Sequence, residues 1–205
     1  MSVKPHREKT RREEYSEATR TALLDAAAEA FAAQGFARTS VDDIVRRARL
    51  TKGALYHHFK DKRAVFEAVF CRIEEIIVAR VADASARVSD PWARVEAGFG
   101  AILDAALEPA HRRIVFEEAP VALGWTRWRE IEQQYMMGLL RATLSSLQEA
   151  GLIRAEPLDL VAPVLFAAIG EATQVAAREK DTKAARRAAK RLVLQLVRGL
   201  TPAGR

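Results

Sequence analysis

Cysteine is all but absent: Cys71 stands alone, so no intrachain disulfide is possible and a reducing cytoplasm suits the chain. Proline (seven) and glycine (ten) are scarce for 205 residues, which disfavours an all-β architecture built on many tight turns. Long apolar runs are missing too. The longest uncharged one, Leu160 to Ile169, is too short for a bilayer, so no membrane partner is expected. The first 22 residues are charged and lack an apolar stretch, so no signal peptide is expected. No GxxxxGK[ST] phosphate loop, nucleophile–base pair or Cys/His ligand set occurs, so an enzyme, a metal site and a cofactor are not expected.

What remains is rich in helix formers. Ala, Leu, Arg and Glu dominate, 49% of residues are hydrophobic and 29% charged, and the pattern predicts an all-α fold of about nine helices. Charge is unevenly placed. Residues 1–63 hold fourteen Lys/Arg against nine Asp/Glu, and the rest nineteen against eighteen, so most of the net +6 sits at one end. A basic end on a neutral body suits a phosphate-bearing partner. Residues 1–15, with Lys4, Arg7, Lys9, Arg11 and Arg12, have no apolar periodicity and read as a flexible basic arm. Residues 16–61 and 62–205 read as a small N-terminal domain and a larger helical one.

Within the first domain, Ser16 is expected to cap a helix whose inward stripe holds Leu24, Ala28 and Phe31, and Gly35 to end it. Ser40 opens a second helix with Asp42 and Asp43 at its positive end, and Val41, Ile44, Val45 and Ala48 face inward. Thr51 caps a third, anchored by Leu55 and Phe59. Lys52, Gly53, Ala54, Tyr56, His57 and Lys60 are left facing outward. Two short helices with a tight turn form a helix-turn-helix, whose second helix enters the DNA major groove. Lys52 is placed to donate to guanine, with Ala54 beside it and Gly53 giving room for close approach. Tyr56, Thr39 and Ser40 are placed to donate to phosphate, and His57 and His58 to reach either.

Ser16 to Val69 closely resembles the DNA-binding domain of the TetR/AcrR family of transcriptional regulators. The run Thr51-Lys52-Gly53-Ala54-Leu55-Tyr56-His57-His58-Phe59-Lys60-Asp61-Lys62 carries the match. The resemblance implies backbone contacts from Lys60 and Lys62, a palindromic double-stranded operator, and a ligand cavity enclosed by helices four to eight. It also implies that ligand shifts helix four and so the reading heads. One departure is Arg49, where the family usually has glycine; a positive φ there costs roughly 1 kcal/mol.

His57 and His58 point about 100° apart on a helix and make no metal pair. His111 and Glu118 share a face two turns apart, and are read as surface residues or as bridging a ligand. The run Leu160–Ile169 is apolar all round and so needs covering on both sides. A homodimer through helices eight and nine is expected, with Leu165, Ala168, Ala172, Val193, Leu196, Val197 and Leu200 at the interface and two reading helices about 34–36 Å apart. Aromatic and thioether groups concentrate mid-chain. Trp92, Phe99, Phe116, Glu117, Trp125, Trp128, Tyr135 and Gln174 are the candidate lining of a pocket for a hydrophobic or amphipathic small molecule, with Thr173 or Gln134 as further polar candidates. The expected function is a ligand-responsive regulator, a repressor released by its effector; an activator, a protein effector, and a helical enzyme with an incidental helix-turn-helix are the alternatives.

Overall fold

A computed structural model describes residues 10–154 and 156–202. Nine helices and no strands occur among them. They are α1 (Arg11–Arg38), α2 (Val41–Ala48), α3 (Lys52–His58), α4 (Lys62–Ala86), α5 (Pro91–Leu107), α6 (109–123), α7 (Trp125–Glu149), α8 (Leu158–Arg178) and α9 (Thr182–Arg198). Contacts divide the chain into two compact units, Met1–Val69 and Phe70–Arg205.

In the first unit, α1 starts at Arg11, not beyond Ser16. Thr10 and Glu13 form a capping box, each side chain taking the other's backbone N–H. Arg11 and Arg12, expected in the arm, are therefore helical; Lys4, Arg7 and Lys9 lie outside the described residues. Leu23, Leu24, Ala27, Ala30 and Phe31 form the buried stripe, with Ala28 at its edge. Gly35 breaks the helix as expected, at φ 82° and ψ 168°, a region that side chains exclude. The chain then turns back, and Phe36 meets Phe66 at 5.2 Å and Phe31 at 6.0 Å. Ile44 and Val45 of α2, Leu55 of α3 and Phe59 close the core. Each such side chain contributes roughly 1.5–3 kcal/mol by leaving water.

The second unit packs α5 and α7 to α9 with the rest of α4 around three apolar clusters. Leu144, Leu147, Ala162, Leu165 and Val197 form one; Phe99, Leu103, Ala176 and Val193 the next; Ile77, Val81 and Ala105 the third. Gly98 lets α5 approach α4 closely, since a Cβ there would meet Ser85 Oγ at 2.9 Å and Val81 Cγ1 at 3.2 Å. Arg186 of α9 grips Asp104 of α5 with two N–H groups, at 2.5 and 2.7 Å.

Helix α6 is not regular. Pro109–His111 and Ala119–Leu123 flank a π-helical stretch, Arg112–Glu118. Pro120 has no N–H for the Phe116 carbonyl, and its ring crowds that oxygen. The helix widens instead, and the Ala119 N–H bonds five residues back to Ile114.

Helix α8 is long and apolar enough, by length and composition alone, to cross a membrane. Its inner face carries Ala162, Leu165, Phe166, Thr173, Ala176 and Ala177 into the unit's core. That burial is what a core helix of a folded protein needs.

Candidate functional site

Helix α3 is short, and its ends are defined by side chains. Thr51 Oγ1 accepts the Ala54 N–H at 3.2 Å, and Leu55 and Phe59 are buried beneath it. Lys52, Gly53, Tyr56, His57 and Lys60 are then all exposed, as the apolar pattern requires, with Tyr56 at 53%. Ala54 and His58 are half-buried. The rings of His57 and His58 meet edge-on at 5.1 Å, and burial, then His57, then Arg20 hold His58 below the usual imidazole range. Lys52 Nζ lies 2.9 Å from Asp42 at the start of α2, which raises its pKa. Ser40 caps α2 through an exposed hydroxyl, accepting from the Asp43 N–H at 3.1 Å and donating to its carboxylate at 2.6 Å. That bond first, and Arg46 as well, hold the Asp43 carboxyl below the usual range.

Two residues expected to face DNA point inward. Thr39 is 1% exposed, and its hydroxyl donates to the Gly35 carbonyl at 2.7 Å, satisfying an acceptor left open by the break in α1. Lys62 donates to the carbonyls of Phe36 and Thr39, both at 2.8 Å, and its ammonium sits 4.3 Å from the centre of the Phe36 ring. The basic character of Lys62 is thus used inside the unit, joining the start of α4 to the end of α1. Arg49 adopts the left-handed conformation, φ 56° and ψ 39°.

The second unit holds a partly open cavity of about 350 Å³. Ile77, Val81, Phe99, Ile102, Val115, Phe116, Met136, Leu139, Phe166 and Ile169 give it apolar walls. Of the expected lining, Phe99 and Phe116 are present, and Thr173 with them. The other candidates lie elsewhere. Trp92 packs against the Leu144 cluster under Arg198, Glu117 pairs with Arg112 at the surface, and Trp125 is exposed. Trp128 is wholly buried beside Trp125, Tyr135 donates to Glu75 at 3.2 Å, and Gln174 accepts from Arg178. Helical spacing brought them mid-chain but could not orient them.

Four ionisable residues lie in that wall instead: Glu74, Arg94, His111 and Glu132. Burial pushes the Glu74 carboxyl up to about 8, with Glu132 adding to the rise. Burial likewise raises Glu132 to about 7, against the pull of Arg129, whose Nη1 is 3.4 Å away. His111 is driven down to about 4, chiefly by burial. It is therefore a buried neutral imidazole and not a surface residue, and it stacks edge-on to Phe116 at 5.5 Å. The widened turn of α6 begins directly after it.

The helices α8 and α9 present a different apolar face from the one expected. Leu165, Val193 and Val197 are buried in the unit's own core, and Ala172 and Leu200 pack against it. Ala168 is half-buried. Outward instead are Leu160 (68% exposed), Val164 (62%), Val175, Leu192 and Leu196. Only Leu196 belongs to both sets.

Comparison with known proteins gives this arrangement its name. Residues 92–200 match the tetracyclin repressor-like C-terminal domain, and residues 23–69 match the tetR family of bacterial regulatory proteins. The chain belongs to the TetR family. A TetR-family transcriptional regulator from Pectobacterium atrosepticum shares 30% identity and a TM-score of 0.81, over 96% of this chain and 100% of that one. The TetC protein of transposon Tn10 from Escherichia coli is 26% identical across 157 residues, 77% of this chain and 79% of its own. RolR, solved with its ligand resorcinol, shares the fold at 19% identity and a TM-score of 0.70, over 90% of this chain and 89% of its own. As a TetR member the chain is a helix-turn-helix transcriptional regulator, of a family whose members are DNA-binding, typically ligand-responsive repressors and typically homodimers.

Proposed function

We propose that this TetR regulator represses from a palindromic operator as a cytoplasmic homodimer, and that a small molecule with a largely apolar body releases it. The observation that carries the reading is the outward face of α3. Lys52, Tyr56, His57 and Lys60 stand exposed on a helix whose other face is fixed by Leu55 and Phe59. With α3 in the major groove, Lys52 leaves Asp42 for a base edge, and Gly53 and Ala54 allow close approach. Tyr56, His57, His58, Lys60 and the Ser40 hydroxyl contact phosphate and set the register. Thr39 and Lys62 support that face from within.

The dimer reading rests on α8 and α9, whose outer faces leave Leu160, Val164, Val175, Leu192 and Leu196 uncovered. A second copy of the chain covers them by twofold pairing of the same helices. The effector reading rests on the cavity, which has the size and apolar walls of a small-molecule site.

The test is fluorescence-anisotropy titration against DNA flanking the protein's own gene and against scrambled DNA, over a salt series. Salt-tolerant, sequence-dependent binding is expected, with Lys52→Ala relaxing the preference and Tyr56→Phe weakening binding to all sequences. Equal binding to both DNAs, vanishing with salt, would show only the electrostatic contribution and reject the operator reading. A monomer mass by light scattering at micromolar concentration would reject the dimer.

A further inference from the structure

The polar groups of the cavity do not balance. Glu74 is 4% exposed, yet no hydrogen bond or ion pair is made by its carboxyl among the described residues. A carboxyl so buried and unpartnered is costly unless something enters to meet it. Every element around the cavity bears on what that something is. From α7, Glu132 adds a second carboxyl close enough for its charge to act on Glu74, and Arg129 answers Glu132 alone. From α6, His111 is held neutral by burial. From α5, Arg94 is exposed and donates to the Val88 carbonyl at 2.6 Å. The lining from α8 and α9 is uncharged: Phe166, Ile169, Gly170, Thr173, Val193 and Val197. Once ionised, the Glu74 carboxylate would have no counter-charge of its own, since Arg129 answers Glu132 and Arg94 is bonded to Val88, in walls that are mostly apolar.

Resting on the reading of this cavity as the effector site, we propose that the effector is an organic cation. It is an apolar body bearing a protonated amine or amidine whose N–H groups bond the Glu74 carboxylate, with Glu132 as second acceptor. A carboxylate ligand would meet two acids. A neutral hydroxyl would satisfy Glu74 only in its acid form and offers no charge to pair with the carboxylate. A cation pairs with the Glu74 carboxylate, and the rings of Phe99 and Phe116 favour it over an equally large neutral group, while Phe166 already lies under Arg129 at 4.6 Å.

Binding is proton-coupled. In the empty cavity burial keeps Glu74 largely protonated near neutral pH; as the ammonium arrives, the carboxyl proton passes to buffer and the O–H becomes a carboxylate paired with N–H⁺. The test is isothermal titration of the full-length protein with octylamine, octanol and octanoate, three probes with a common apolar chain, in buffers of differing ionisation enthalpy. Octylamine should bind at least about tenfold more tightly than octanol, as a charge-assisted bond at a buried site allows, and octanoate weakest. Only octylamine should release protons. Glu74→Gln should remove both the preference and the release, and Glu132→Gln should reduce the preference. Octanol or octanoate binding as well as octylamine, and blocked by a cavity-filling Leu139→Trp, would overturn the cation while leaving the cavity as an effector site. No binding by any of the three would remove both readings.

Discussion

Among the large side chains in the core of the N-terminal unit are Leu23, Leu24, Phe31, Ile44, Leu55 and Phe66, all hydrocarbon, and its buried Thr39 is hydrogen-bonded. Its polar groups otherwise cluster at helix starts, where Thr10, Ser40 and Thr51 accept otherwise unpaired amides. The C-terminal unit is built the other way. Glu74, His111 and the Trp128 indole are as buried as its leucines; Trp128 Nε1 finds no partner among the described residues, and the Glu74 carboxyl meets only burial and the charge of Glu132. A reading head gains from a single satisfied conformation. A sensor gains from groups that only its ligand completes, because those groups set the differential affinity that shifts an equilibrium.

The largest effect should come from removing that incompleteness. Glu74 titrates near 4.5 when unfolded and at about 8 when folded, so the folded chain keeps a proton that the unfolded chain has lost. For this group stability is full below pH 4.5 and is lost as pH rises through about 8. Glu132 acts in the same sense up to about 7, and His111 oppositely, losing stability as pH falls from 6.5 through about 4. Glu74→Gln should therefore stabilise the protein by up to about 5 kcal/mol above pH 8 and by little at acid pH. Thermal melts across that range test it. A variant no more stable than the parent would mean the carboxyl is satisfied, and the contrast between the units would break.

Next is Lys62, where the N-terminal unit is most exposed to damage. Lys62→Met keeps the aliphatic stem but leaves the Phe36 and Thr39 carbonyls unpaired, which should cost about 2 kcal/mol. Urea unfolding should show it, and operator affinity measured well below the midpoint should change little. A loss of affinity with unchanged stability would return Lys62 to the DNA surface. Ser40→Ala follows, at about 1 kcal/mol for the lost cap. It should also weaken DNA binding by the one phosphate contact proposed for its hydroxyl.

The N-terminal unit was also the more legible one. Its pattern has one buried side and one solvated side, so Leu55 and Phe59 alone determine where Lys52, Tyr56 and Lys60 point. The start of α1 was legible too, as the T-x-x-E of Thr10 to Glu13, but the charged run Arg11-Arg12-Glu13-Glu14 masks it. Thr39 and Lys62 were misplaced because nothing in sequence shows that the break at Gly35 leaves carbonyls for them to satisfy. In the C-terminal unit periodicity is weaker evidence. Helix α8 is apolar on every side, so inner Leu165 and outer Val164 look alike. Glu74 did carry a signal, since it falls on the α4 stripe Phe66, Phe70, Ile77, Val81 at a position where a hydrophobe belongs. His111 carried none, because its burial depends on the widening of α6 that Pro120 imposes from beyond it.

The smallest effect sharpens the comparison from the other side, by asking whether the reading unit is free of strain. Arg49 holds φ 56° at the end of α2, with its N–H bonded to the Arg46 carbonyl at 3.2 Å. A left-handed conformation costs a residue with a Cβ about 1–2 kcal/mol, while glycine loses more backbone freedom on folding. Arg49→Gly should then stabilise the unit by about 0.5–1 kcal/mol, as the difference between those two quantities. The exposed guanidinium is lost in the same change, in the half of the chain that holds most of the positive charge. Denaturation midpoint and DNA affinity should accordingly move in opposite directions, with the affinity loss growing at low salt. If both rise together, Arg49 has no part in attracting DNA and is simply strained. If stability does not rise, the turn between α2 and α3 absorbs the side chain without penalty, and the N-terminal unit is as relaxed as its hydrogen bonds suggest.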